Sequence, residues 1–268
     1  AEGTPELPII FTAEDDDVND PGDLTHEDRG LWGGLIILGY GVLGDETTEA
    51  SIEGIPAGEA RVTYGGNDDT HNSGVLKYVS VRHGGAELSP GDEINGISIA
   101  GVGSQTVIEH VEVFANSDDG FEWWGGTVNA KYLVAAFCGD DAFDWDDGWR
   151  GNGQFWFAIQ GADEAGSAGE HDGATPDDNA RFAKPNIFNA TYIGPGTDAN
   201  NDDVALMMRD GTGGMYANSI FTEFPAAAIE VEDRAAAVGT DSRQHMENGD
   251  LVFKNNIWFG FGAGDELE

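Results

Sequence analysis

The chain has 268 residues, with 50 acidic side chains against 12 basic ones and a formal net charge of −38. That balance excludes nucleic-acid binding, which needs a basic surface for the phosphates, and an anionic membrane would repel it. Hydrophobic residues at 40%, with 14 Phe and 7 Trp, argue against disorder, and the 40 glycines follow no collagen-like period.

Two explanations fit such charge: a surface built for salty, cation-rich water, or one that binds many divalent ions. The opening AEGTPELPIIFTA has neither the basic nor the apolar region of a secretion leader. Residues 30–44 (GLWGGLIILGYGVLG) are the longest apolar stretch, yet glycine breaks them and they are too short to span a bilayer, so no membrane insertion is expected. The one cysteine, Cys138, permits no disulfide and no cysteine-based zinc site; it follows a core strand and should be buried and inert.

Along the chain one strand-like pattern recurs: 75–83, 107–116, 130–138, 154–160, 186–194, 215–224 and 252–261. Each is short, β-branched or aromatic, and bounded by Gly, Asn or Asp. A second kind lies between them: INGISIA (94–100), DGFEWWG (119–125), DAFDWDD (141–147), DVALMMRD (203–210) and AIEVED (228–233). No run shows the periodicity of an amphipathic helix. A repeat of about 22 residues with Gly, Asn and Asp corners predicts an all-β chain, a β-solenoid over 1–268 as one domain with loop insertions. The insertions are 13–29, 45–72, 162–184 and 235–250, and in solenoids such loops often build the binding surface.

These stretches resemble a right-handed parallel β-helix. GTPELPIIFTA (3–13) is similar to the phrase that opens a rung in secreted β-helices. RGLWGGLIILG, YGGNDDTHNSGVLKYVSVRHGGAE and NSDDGFEWWGG resemble uncharacterised exported surface proteins of marine bacteria. The resemblance covers most of the chain and implies an extracellular or cell-surface location.

Period-2 alternation then sets the faces. Phe121 and Trp123 align with Phe143 and Trp145, and Ile97/Ile99, Ala205/Met207 and Ile229/Val231 continue the inward columns. The outward columns are Ser98, Glu122, Asp144, Leu206, Glu230 and Ala100, Trp124, Asp146, Met208, Glu232. GEHDG (169–173) supplies the rung missing between Asp144 and Leu206, placing Glu170 beyond Asp144, Asp172 beyond Asp146, and His171 inward. Strands stack ~4.8 Å apart, where two ionised carboxylates repel by about 3 kcal/mol at an effective dielectric near 20. A cation, a raised pKa, splayed side chains or high salt must offset this. Calcium suits such hard oxygen ligands, whereas a raised pKa would create a general acid.

The pairs Asp118–Asp119, Asp140–Asp141 and Asp202–Asp203 sit just before strands, where aspartates accept backbone hydrogen bonds in turns. Turn formation, calcium binding and catalysis all stand as readings of them. The expected metal ligands are Asp118, Asp119, Asp140, Asp141, Asp144, Asp146 and Asp172. The pairs also look like the Asp-Asp motif of β-helical polygalacturonases, but the Asn-Thr-Asp, Gly-His-Gly and Arg-x-Lys phrases of those enzymes are missing. Pectate-lyase-like chemistry would need calcium-binding acids beside a basic residue; Arg150, Arg209 and Lys131 are available but match no motif.

The loop DDDVNDPGD (15–23) lacks EF-hand spacing and reads as solvated. Trp124, predicted outward, either stacks on a sugar ring or is covered by an insertion. His83 and His110 read as surface or corner residues. The chain begins and ends on strand-like rungs with no capping helix, so it is expected to be a segment of a longer polypeptide or to be covered there by sister subunits.

Two functions follow. One is a non-enzymatic surface β-helix, adhesive, filament-forming or structural, binding calcium or other divalent cations and contacting glycans. The other is a polysaccharide lyase or glycosidase, with Glu122, Asp144 and Glu170 as candidate catalytic acids.

Overall fold

The computed structural model describes residues 1–44, 47–55, 58–59, 61–88, 94–177, 179–200, 203–234 and 241–264. Asp45, Asp202 and residues 235–240 of the predicted insertions and turns lie outside the described residues.

The two recurring sequence patterns become two parallel sheets. One stacks Leu35–Leu38, Ile97–Ala100, Phe121–Trp124, Phe143–Asp146, Gly169–His171, Leu206–Met208 and Ile229–Val231 in that order. The other has 11 strands and contains the long segments Val75–Arg82, Val107–Phe114, Ala130–Ala136 and Asn152–Ile159. Within those segments the pairing skips one residue per rung: Lys77 faces Glu109 and Val79 faces Val111, but Tyr78 and His110 lie outside the register. Their φ angles are 49° and 56°, and Tyr132, Phe155, Asn189, Asn218 and Asn255 continue the column at 57°, 60°, 59°, 57° and 56°. A single left-handed residue thus turns the chain sharply and divides the large sheet into two faces, giving the three-sided coil of a right-handed parallel β-helix. Left-handed backbone costs a non-glycine residue about 1–2 kcal/mol, and asparagine tolerates it better than aromatic residues do.

The inward columns fill the coil. Phe121 pairs with Phe143 and Trp123 with Trp145, as the alternation predicts. Trp123 stacks on Trp149 at 4.8 Å and on Trp156 at 5.0 Å between ring centroids, all three fully buried. Such offset aromatic stacks add about 0.5–1.5 kcal/mol per pair beyond area burial. His171 also points inward, as expected, lying flat on Trp145 at 3.3 Å with its Nε2 2.9 Å from the Tyr216 hydroxyl. Cys138 is a buried free thiol whose pKa burial pushes up to about 12, so it is inert.

Three expectations need correction. Leu206 and Met208, not Ala205 and Met207, occupy the inward strand positions, because Gly169 pairs with Leu206 and His171 with Met208. In VALMM every residue is apolar, so alternation cannot set the phase. A short helix, Ser242–Asn248, lies in the last insertion, capped by Asp241 accepting from Gln244 N and closed by Gly249 in the left-handed region. Its two turns are too short to show a periodic pattern. His83 is a corner residue, with φ of 58°, but it is buried, its Nδ1 2.6 Å from the Asp28 carbonyl.

Candidate functional site

The outward face of the seven-stranded sheet forms an acidic cleft of about 440 Å³. Parallel pairing sets Glu122 beside Asp144 and Asp144 beside Glu170, so the predicted ladder exists in the predicted order. The turn aspartates enter from one edge: Asp118, Asp119, Asp140 and Asp141 line the same cleft as Asp146 and Asp172. Oxygen atoms of three overlapping trios come within 4.8 Å of one another: Asp118, Asp119 and Asp140; Asp119, Glu122 and Asp144; Asp141, Asp144 and Glu170. Asp119 and Asp144 each belong to two trios, so the groups form one continuous array.

Asp119, the second aspartate of its pair, does turn work as well. Asp119 Oδ1 accepts from the backbone N of Asp141 at 2.9 Å, one rung away. The structural and ligand readings of these turns therefore coincide in one side chain. The 15–23 loop is different: Asp17 and Asp20 accept from Asn19 N and Gly22 N in local turns and stay exposed.

Burial dominates the electrostatics. Desolvation, followed by the charges of neighbouring acids, pushes Asp119, Glu122, Asp141 and Asp144 well above the carboxylate range. The same causes raise Asp146 to about 7; Glu170 also reaches about 7, with desolvation partly offset by Arg209. Arg209 supplies a positive charge to the cleft, contacting Glu170 at 2.5 Å and Asp172 at 2.6 Å. Burial opposes its charge, but these two carboxylates hold the guanidinium firmly protonated.

Among the described residues, two buried oxygens along the array accept no hydrogen bond: Asp144 Oδ1 and Asn95 Oδ1. A buried acceptor without a partner costs about 1–3 kcal/mol. The donor set is all hard oxygen, with a flexible arrangement and two oxygens lacking partners, which fits calcium. Transition metals would favour histidine or cysteine, and among the described residues neither lines the cleft.

Trp124 requires a correction. Its position in the outward column is as predicted, but it is only 6% exposed. The 45–72 insertion packs onto it through Ile52 and Tyr64, joined by Leu43 just before it, and Tyr64 anchors there by donating to Asp147 Oδ2 at 2.8 Å. No open ring face remains for a sugar. That insertion also brings Glu53 to the cleft, where the Asn95 amide donates to both Glu53 (3.0 Å) and Glu122 (2.5 Å). Asn95 and Glu53 were not legible as site residues. Extending the Asp119 column one rung back reaches Asn95, a signal that was present; nothing local marks Glu53.

A parallel β-helix with a carboxylate cleft along one sheet defines a class of solenoid whose site lies on the outside of the coil. The chain belongs to the family of the pectate-lyase-like β-helix domain, whose model matches residues 1–259. Membership points to a carbohydrate-related role. Neither a curated protein nor a solved structure matches the chain.

Proposed function

We propose that this β-helix is an extracellular, non-enzymatic module that binds divalent cations, calcium foremost, and through them holds an acidic polysaccharide. The observation that carries this reading is Asp144: it joins two carboxylate trios, and its buried Oδ1 has no hydrogen-bond partner among the described residues. Asp119, Glu122, Asp141 and Glu170 would share the cation with it, and Arg209 would meet a sugar carboxylate at the end of the array. Calcium, when bound, supplies positive charge that relieves the carboxylate repulsion and can accept further oxygens from a ligand. The net charge of −38 would otherwise repel an acidic glycan. An adhesive or structural role at the cell surface follows from that binding.

Cleavage of the same polysaccharide is the second reading, favoured by Arg209 lying beside Glu170 in the cleft. Binding is the better fit, because a guanidinium clamped by Asp172 and Glu170 is a poor proton acceptor.

Calorimetric titration with calcium, against sodium chloride of equal ionic strength, tests the cation site. Saturable calcium binding that weakens at least tenfold in Asp144→Asn supports it; identical calcium and sodium responses overturn it. Retention on immobilised polyuronate should then require calcium and be reversed by chelator. Unsaturated products or new reducing ends in the same incubations would move the assignment to cleavage.

A further inference from the structure

On the side of the coil formed by the large sheet, the left-handed corner column carries a row of aromatic rings. Tyr78, His110, Tyr132 and Phe155 stack in series, with centroids 4.5, 4.4 and 5.2 Å apart and interplanar angles of 10°, 7° and 11°. The fold does not need rings there. In the last three rungs the same column position is held by Asn189, Asn218 and Asn255 at φ of 59°, 57° and 56°. Asparagine tolerates left-handed backbone, whereas bulky residues adopt it at a cost. Tyr132 and Phe155 pay that cost while remaining 42% exposed each. A backbone outlier combined with exposed apolar surface points to a binding role.

Beside the row runs an open groove of about 440 Å³, floored by the outward residues Ile10, Ser80, Glu112, Val134 and Phe157. Its lining is mainly apolar and holds one carboxylate, Glu112, with Arg82 at 3.9 Å from it. On a chain with 50 acidic residues, such a nearly acid-free strip is where another highly acidic surface can approach with least repulsion. Sugars are disfavoured along the middle of the row, because His110 and Tyr132 each have a ring stacked on both faces.

We infer that this groove and its aromatic row are the interface for a second copy of the chain, docked about a two-fold axis. Arg82 and Glu112 give the reason for self-pairing. In a two-fold contact residue i meets j and j meets i, so the Arg82 of each copy can face the Glu112 of the other. Both side chains are accessible, at 30% and 37% of their surface. The acidic cleft lies on the other sheet, so this inference does not rest on the cation reading, and each can fail alone.

Sedimentation velocity over a wide concentration range, at low and high sodium chloride, tests it. The expected result is a monomer–dimer equilibrium that tightens with salt, as screening removes the long-range repulsion of two polyanions. The double variant Tyr132→Asn/Phe155→Asn, which installs the residue the column already uses elsewhere, should keep its circular dichroism and weaken dimerisation at least tenfold. Arg82→Glu should abolish the dimer, and the exchange Arg82→Glu/Glu112→Arg should restore it, a recovery that a merely folded monomer would not show. A monomer at every concentration and salt overturns the inference. So does a dimer indifferent to the asparagine and charge variants, which would place the contact on another surface.

Discussion

Asp119 Oδ1 accepts a hydrogen bond from the backbone N of Asp141, 22 residues further on. One carboxylate thereby caps the next rung and faces the cleft with its remaining lone pairs. The two duties can be separated by substitution. Asp119→Asn keeps an acceptor for Asp141 N and replaces a carboxyl that burial already holds toward its neutral form, so stability without cation should change by less than about 1 kcal/mol. Asp119→Ala leaves the Asp141 N–H unpaired and should cost about 1–3 kcal/mol. Urea unfolding in chelator measures both, and both variants should lose calcium affinity.

The cleft carboxylates predict an inverted pH profile. Asp119, Glu122, Asp141, Asp144, Asp146 and Glu170 are raised, Asp146 and Glu170 to about 7. The folded chain then binds more protons than the unfolded one between about pH 4 and 7. Their contribution is fully present below the unfolded value and is lost as pH rises through the folded one. His171 and His245, both lowered chiefly by burial, act in the opposite sense but are outnumbered by these six carboxylates. In chelator, stability should therefore fall from pH 5 to 7, by up to about 1.4 kcal/mol per pH unit for each differentially bound proton. Saturating calcium, which binds the ionised carboxylates, should flatten that decline. Urea midpoints across this range, with and without calcium, give the result; a rise in stability through the window in chelator would contradict it.

The columns that could be read from sequence are those with strong chemical contrast between faces. FEWW and FDWD alternate ring and acid, so their register and the Glu122–Asp144 pair followed from period 2, while Glu170 was placed by the rung that the length of the gap to Leu206 required. LMM offers no such contrast, and its phase came out one residue wrong. Asn95 joins the cleft one rung before Asp119 in the same column, a signal the register carries, whereas Glu53 joins through an insertion docking that has no local signature. Trp124 shows the same limit: alternation placed it outward, but only the tertiary packing of Leu43, Ile52 and Tyr64 decides that it is covered.

That covering makes Trp124 a packing residue, and its energetics should show it. Removing a buried tryptophan costs about 3–5 kcal/mol, whereas an exposed sugar platform would cost far less. Trp124→Ala should destabilise by that amount and release the insertion, exposing the region around Tyr64 to limited proteolysis. Tyr64→Phe, which deletes only the hydroxyl that bonds Asp147, should cost about 1 kcal/mol and leave the insertion docked. Equal, negligible losses in both variants would show that Trp124 is not held as described.

Gly169 has a packing role that its neighbours in the column conceal. Phe143 pairs beside it on one side and Leu206 on the other, yet a Cβ at Gly169 would sit 2.4 Å from His171 Nε2. The His171 ring occupies the space a large residue would fill, wedged flat on Trp145. Gly169→Ala should therefore overpack the core, costing about 1–3 kcal/mol, and alter the near-ultraviolet circular dichroism of the tryptophan stack. Because the strand Gly169–His171 also carries Glu170 into the cleft, calcium affinity should fall with it. His171→Ser frees the space, so the double variant should lose less stability than the two single losses added together. A double-mutant cycle gives that coupling directly, and strict additivity would show that the ring and the glycine do not depend on each other.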